Sequence, residues 1–136
     1  MPGIKMPRIK MPRIKMPDQR REFGLQSEDC AVLFLKKKGY VILERNYRTR
    51  FAEIDIIAQQ GGFLVFIEVK ARKNNKKGFP KEAVGFSKQK KISLAAEYYL
   101  REKKLSNVRV RFDVVAILEN SNGIEIELID NAFYAV

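Results

Sequence analysis

The chain has no histidine, and Cys30 is its single cysteine among 136 residues. Without histidine there is no imidazole acid or base, no Ser-His-Asp triad and no ordinary zinc site. One cysteine cannot build a disulfide framework. No apolar run approaches the roughly 18 to 20 residues needed to span a bilayer. The longest, Phe63-Leu64-Val65-Phe66-Ile67, has the length of a buried strand. The opening segment lacks the apolar core of a secretory signal, and its prolines oppose an amphipathic transit helix, so a cytoplasmic protein with no membrane partner is expected. Catalysis, if present, must rest on carboxylates, lysines, hydroxyls or a hard metal ion.

What the chain has in excess is positive charge. It carries 27 Lys and Arg against 16 Asp and Glu, for a net charge of +11. Residues 1–21 hold seven basic residues and one acid and so supply +6; the other 115 hold 20 basic and 15 acidic residues and supply +5. A moderately basic domain suits a polyanionic partner such as nucleic acid, although a structural RNA-binding protein would show the same balance. The length and an apolar content of 46% fit one domain with one core, assigned to residues 23–136.

Residues 1–22 read as a disordered basic tail built on a five-residue repeat, Met6-Pro7-Arg8-Ile9-Lys10 followed by Met11-Pro12-Arg13-Ile14-Lys15. A proline at every fifth position removes backbone donors and blocks helix, so the segment should be extended and mobile. It serves either as an arm that touches phosphates or as a duplicated leader, since Met6, Met11 and Met16 all offer alternative starts.

Beyond the tail, Ser27 to Lys38 reads as a helix, with Ser27 as a cap, Glu28 and Asp29 at its positive end, and Gly39 as its stop. Tyr40 to Tyr47 is rich in strand formers. Glu53 to Gln60 and Phe63 to Arg72 flank Gly61-Gly62, a hairpin signal. Residues 73–79 form a basic loop. Pro80 to Lys104 follows a helical pattern that can break at Gly85, with Ser87 as a cap and Ile92, Ala95, Ala96 and Tyr99 as its apolar stripe. Val108 to Leu118 and Ile124 to Ala132 are two more strands. The order helix, three strands, helix, two strands predicts an α/β domain with a mixed central sheet flanked by helices.

The hairpin carries the chemistry. With Gly61 and Gly62 as loop residues, Asp55 lies opposite Glu68 and Glu53 opposite Lys70, all on one face, while Ile54, Ile56, Ile67 and Val69 point to a core on the other. Directly opposed carboxylates repel, so Asp55 facing Glu68 requires a bound cation, a raised pKa or exposure to solvent. Two close carboxylates are a natural oxygen cradle for Mg²⁺. Lys70 could orient a water or stabilise charge developing on a phosphate. A solvated polar strand face would also account for these four residues.

Asp55, twelve intervening residues and Glu68-x-Lys70 on a hairpin resemble the PD-(D/E)xK signature of restriction-endonuclease-like nucleases. The ordered set Ser27-Glu28-Asp29-Cys30-Ala31, Glu44-Arg45-Asn46-Tyr47-Arg48, Ala52-Glu53-Ile54-Asp55-Ile56, Phe66-Ile67-Glu68-Val69-Lys70, Lys88-Gln89-Lys90 and Arg111-Phe112-Asp113 resembles the YraN-like family of small bacterial proteins across about residues 23–136. Ser27 and Ala52 stand where that family usually has glycine. The resemblance implies a restriction-endonuclease-like fold, similar in its core to Holliday-junction resolvases. It also implies a Mg²⁺- or Mn²⁺-dependent endonuclease held by Asp55, Glu68 and the carbonyl of Val69, with Lys70 acting on the water or phosphate. Glu28 would be an extra acid at the metal edge, although charge at a helix N-terminus explains it equally well.

Lys88, Lys90 and Lys91 oppose the dipole of their helix and suit a phosphate there. Lys88, Lys91, Arg72 and Lys73 are therefore the expected nucleic-acid contacts, with Glu53 in support. Arg111 and Asp113 read as a supporting ion-pair network, Tyr98 and Tyr99 as helix packing, and Cys30 as a small core residue. No recognition helix supplies base readout, so branched, flapped or otherwise structured nucleic acid is the expected substrate, with DNA preferred over RNA though the sequence does not separate them, and a resolvase-like role would predict a homodimer. The alternatives are a catalytically silent nucleic-acid-binding module or a subunit of a DNA-processing complex.

Overall fold

The structure is a computed structural model that describes residues 27–73, 84–120 and 123–135 together with the backbone of residues 14–16. The elements run β1 (Ile14–Met16), α1 (Ser27–Lys37), β2 (Val41–Arg48), β3 (Glu53–Gln60), β4 (Phe63–Lys73), α2 (Phe86–Glu102), β5 (Arg109–Asn120) and β6 (Gly123–Phe133). The expected order of helix, three strands, helix and two strands is present. β1 is an addition to it. Three residues of the repeat pair antiparallel with β6, Ile14 opposite Ile126, where a free tail was expected. The rest of the repeat, the Asn74–Phe79 part of the basic loop and the Pro80 start of the helical pattern lie outside the described residues.

One six-stranded sheet has the order β1-β6-β5-β4-β3-β2. Its central pair, β4 and β5, is parallel from Phe63–Arg109 to Lys73–Glu119, and the other neighbours are antiparallel. A parallel pair needs a crossover, and α2 lies within that connection.

Gly61 and Gly62 form the two-residue loop, pairing Gln60 with Phe63 as expected. Their φ values of 58° and 83° are the left-handed pair that the favoured tight hairpin turn requires. α1 ends at Gly39, where Tyr40 N–H donates to the Leu35 carbonyl (3.0 Å) and Gly39 N–H to that of Lys36 (3.1 Å), the paired closure of a glycine-terminated helix. α2 differs from expectation: its cap is Gly85 and Ser87 is already helical, so no side chain caps it. The Gln89 side chain donates to the Val84 carbonyl (2.8 Å), which ties the entering chain to the helix but satisfies none of its first N–H groups.

Core lies on both faces of the sheet. Phe34 and Leu35 of α1 pack with Ile56, Ala58, Val65, Ile67, Val115 and Ile117. Ile92, Ala95, Ala96 and Tyr99 of α2 pack with Ile57, Leu64, Phe66, Phe112 and Val114. This corrects the expectation of a single apolar face to the hairpin. The runs Ile56-Ile57-Ala58 and Leu64-Val65-Phe66-Ile67 are continuous rather than alternating, the mark of strands covered on both sides. Ile54, expected beside Ile56, packs in the α2 cluster instead.

Arg111 and Asp113 form the expected network, and both are buried. Arg111 Nε donates to Asp113 Oδ1 (2.9 Å), and Arg111 Nη2 donates to the Tyr40 hydroxyl (2.9 Å) and Gln60 Oε1 (3.0 Å). Tyr40 donates in turn to Asp113 Oδ2 (2.8 Å), and Asn131 N–H donates to Oδ1 (2.9 Å). Cys30 is buried as expected.

Candidate active site

The site opens where β3 and β4 separate. Their recorded pairing runs from Gln60–Phe63 to Ile56–Ile67 and stops there. At the next position Asp55 does not simply face Glu68: its Oδ2 accepts the Val69 N–H at 2.8 Å. A side-chain carboxylate thus takes a backbone donor at the end of the ladder, which pins Asp55 and satisfies the amide.

Glu68 shares the strand parity of Leu64 and Phe66 and so points to the α2 side, where it is 3% exposed. Its Oε2 meets Lys88 Nζ of α2 at 3.1 Å. Its Oε1 is buried with no hydrogen-bond partner among the described residues. Burial, reinforced by the neighbouring Asp55 charge, raises the Glu68 carboxyl to a pKa of about 7 despite the opposing pull of Lys88 and Lys70. Burial and the adjacent Lys88 ammonium lower the pKa of Lys70. For Lys88 burial works downward, but attraction to Glu68 prevails and raises its pKa. Two carboxylates and two lysines therefore share one electrostatic cluster.

Above it lies an open cavity of about 670 Å³, lined by Asp55, Glu68, Lys88 and Lys91 and also by Glu53, Ala52, Phe51, Phe86 and Ser87. Thr49 shapes one rim: its hydroxyl accepts the N–H of Phe51 (3.0 Å) and of Ala52 (3.2 Å) and donates to the Ala52 carbonyl (3.0 Å). Gly85 and Phe86, at the start of α2, form the other.

The expected residues divide. Asp55, Glu68, Lys88 and Lys91 come together, with Lys70 coupled to them electrostatically. Glu53 lines the cavity, but its carboxylate pairs with Arg48 Nε (2.6 Å) rather than Lys70. Glu28 does not reach the cavity: Arg45 holds it (3.2 Å) together with Asp29 (2.7 Å) on the rim of α1. Among the described residues, no three Asp, Glu or Cys side chains converge in a manner that could hold a metal ion. A Glu28-containing ligand set is therefore not assembled, because α1 packs on the opposite face from α2. Arg72 is exposed near the end of β4, and Lys73 is that strand's last residue.

The sequence reading missed two aromatic residues in this cavity, Phe51 and Phe86, and misread a third. Tyr99 packs as expected, edge-on to Tyr47 and Phe66, but Tyr98 is 48% exposed. Helical geometry gives a signal for these: at about 100° per residue, Phe86 and Tyr98 both fall off the stripe of Ile92, Ala95, Ala96 and Tyr99.

Comparison with known proteins places the chain among relatives of the same size. A UPF0102 protein of Desulforapulum autotrophicum is 53% identical over 116 residues, covering 85% of this chain and 96% of that protein. A UPF0102 protein of Caldicellulosiruptor saccharolyticus is 46% identical over 116 residues, covering 84% and 98%, and one of Syntrophus aciditrophicus is 48% identical over 115, covering 85% and 91%. The family pattern spans residues 27–117, from the start of α1 through most of β5 and across every residue of the site. The chain belongs to the uncharacterised protein family UPF0102.

Proposed function

We propose that this protein is a divalent-metal-dependent endonuclease of the restriction-endonuclease-like type, hydrolysing phosphodiester bonds in structured DNA. The observation that carries the reading is Glu68: a carboxylate buried on the floor of an open cavity, with one oxygen unpartnered among the described residues and Asp55 and two lysines beside it. Burying such a group without satisfying it costs stability, and a hard cation would recover that cost.

The residues fit Mg²⁺ or Mn²⁺, which takes one or two protein carboxylates and completes its shell with water and phosphate oxygens. Asp55 and Glu68 would hold it, with the Val69 carbonyl as a third donor. When bound, the ion supplies Lewis acidity toward the scissile phosphate. The chain's own residues do the rest. The Val69 N–H fixes Asp55. Lys70, with its lowered proton affinity, orients the attacking water or donates to charge growing on the phosphate. Lys88 and Lys91, near the amino end of α2, hold the phosphate on the open side. Contacts of this kind read backbone and shape, not sequence. Symmetric cleavage of a DNA junction would require two copies of the chain.

One observation favours a second reading, a nucleic-acid-binding module without turnover: Lys88 already neutralises one oxygen of Glu68 without any metal. The two readings separate when the protein and its Glu68→Ala variant are incubated with four-way, flapped and linear DNA in Mg²⁺, in Mn²⁺ and in EDTA. Cleavage that requires metal and vanishes in the variant is the expected result. Salt-sensitive binding by both proteins with no cleavage by either would replace the nuclease with the binding module.

A further inference from the structure

Three aromatic side chains flank the site, Phe86 and Tyr98 exposed and Phe51 half-buried, and none belongs to the carboxylate and lysine cluster. Phe86 is 69% exposed at the first residue of α2, and Phe51 lies on the facing wall of the same cavity. A second concavity, of about 470 Å³, adjoins the first through Phe51 and continues along α2 past Tyr98. Basic groups accompany the rings: Lys91 in the first cavity, and Arg50 and Arg101 in the second. The Arg50 guanidinium sits 5.0 Å from the centre of the Phe51 ring. In the second concavity Glu97 pairs with Arg101 and Glu102 accepts from the neutral Tyr47 hydroxyl, so Arg50 there and Lys91 in the first cavity are the lining cations with no ion pair among the described residues.

Exposed rings are costly to hydrate and contribute nothing to this core. Rings at intervals along a groove that also offers unpaired cations such as Lys91 and Arg50 suit single-stranded nucleic acid, because every base has a face to stack and every linkage a phosphate to neutralise. A duplex keeps its bases stacked inside and cannot use them. We infer that an unpaired nucleic-acid strand lies along this groove, its bases stacking on Phe86, Phe51 and Tyr98, so that the preferred substrates are flaps, splayed arms and other structures with a single-stranded segment beside the cleavage point. The inference rests on the nuclease reading for its cleavage point, while the groove itself is independent of turnover.

The chain contains no tryptophan, so Phe86→Trp introduces a sole indole, excited apart from the five tyrosines at about 295 nm, at the proposed stacking position. Phe86 and Tyr98 are exposed, so neither substitution removes core. In EDTA, oligothymidylate should quench the Phe86→Trp emission, and a blunt duplex of equal length should not. Phe86→Ala and Tyr98→Ala should each weaken oligothymidylate binding about tenfold while leaving duplex binding and thermal melting unchanged, and Phe86→Trp should retain parent affinity. Equal quenching by single strand and duplex, or parent affinity in the Phe86→Ala, Tyr98→Ala double variant, overturns the inference. Metal-dependent cleavage with no preference for single-stranded segments would keep the nuclease and remove the groove. Aromatic-dependent strand binding without any cleavage would do the reverse.

Discussion

Asp55 does two jobs at once, and conservative and radical substitutions pull them apart. Its Oδ2 accepts the Val69 N–H, so Asp55→Ala loses a carboxylate and also strands a backbone donor, at a cost of about 1–3 kcal/mol. Asp55→Asn keeps an oxygen for Val69 but loses the charge. Both variants should abolish metal-dependent cleavage, while urea denaturation finds only the alanine variant clearly destabilised; equal stability of the two would show that the Val69 bond contributes nothing. Glu68 makes the opposite kind of prediction. Its carboxyl titrates near 4.5 when the chain is unfolded and near 7 when folded. Between those values the folded state holds a proton that the unfolded state has released, so stability falls as pH rises through the interval and levels off above it. The whole decline amounts to roughly 3 kcal/mol. In EDTA, melting temperature should drop from pH 4.5 to 7 in the parent, and Glu68→Gln should remove most of that slope and melt higher than the parent at pH 8. A variant with the parent's slope would assign the pH dependence to another group.

At the scale of elements, the hairpin was the most legible part of the chain. Gly61-Gly62 between two strand-forming runs fixed the register, because a two-residue loop leaves one pairing, and the structure has Gln60 opposite Phe63. Nothing around either glycine would meet an added Cβ, so the penalty there is purely conformational. Gly62→Ala should lose about 1–2 kcal/mol, and Gly61→Asn, a residue that tolerates the left-handed region, should lose much less; chemical denaturation of the two variants measures both. Other features were not legible, for local reasons. The pairing of Asp55 with Glu68 was extrapolated along an unbroken ladder, but a side chain that accepts a backbone N–H ends the ladder early, and periodicity carries no trace of that. Glu53 was assigned to Lys70 across the strands, but Arg48 lies closer along the connection between β2 and β3. Glu28 belonged to the site only by resemblance, and a two-faced core sends α1 and α2 to opposite sides. Lys88 was found for a physical reason: a helix whose first turn holds lysines and no acid works against its own dipole.

Across the molecule, the buried Arg111–Asp113 pair joins β5 to Tyr40 before β2, to Gln60 of β3 and to Asn131 of β6. Burial pushes the Tyr40 hydroxyl pKa up, and Asp113 adds to it, so it remains a neutral donor. Arg111→Met leaves a fully buried carboxylate without its counter-ion and should cost about 3–5 kcal/mol. The double variant with Asp113→Asn should be less destabilised than the sum of the two single variants, which a double-mutant cycle by urea denaturation measures; strict additivity would mean that the two residues act separately.

The parallel pairing of β4 with β5 also orders events in time. The hairpin is a contiguous stretch that closes in about 1–10 μs, but β5 joins β4 only after the crossover carrying α2 has been laid down, a non-local step that is intrinsically slower. Asp55 and Glu68 are thus brought near one another before Lys88 arrives and before any cavity encloses them. The hairpin by itself would leave both carboxylates in water, and Glu68 leaves solvent only where α2 is packed on the sheet above it.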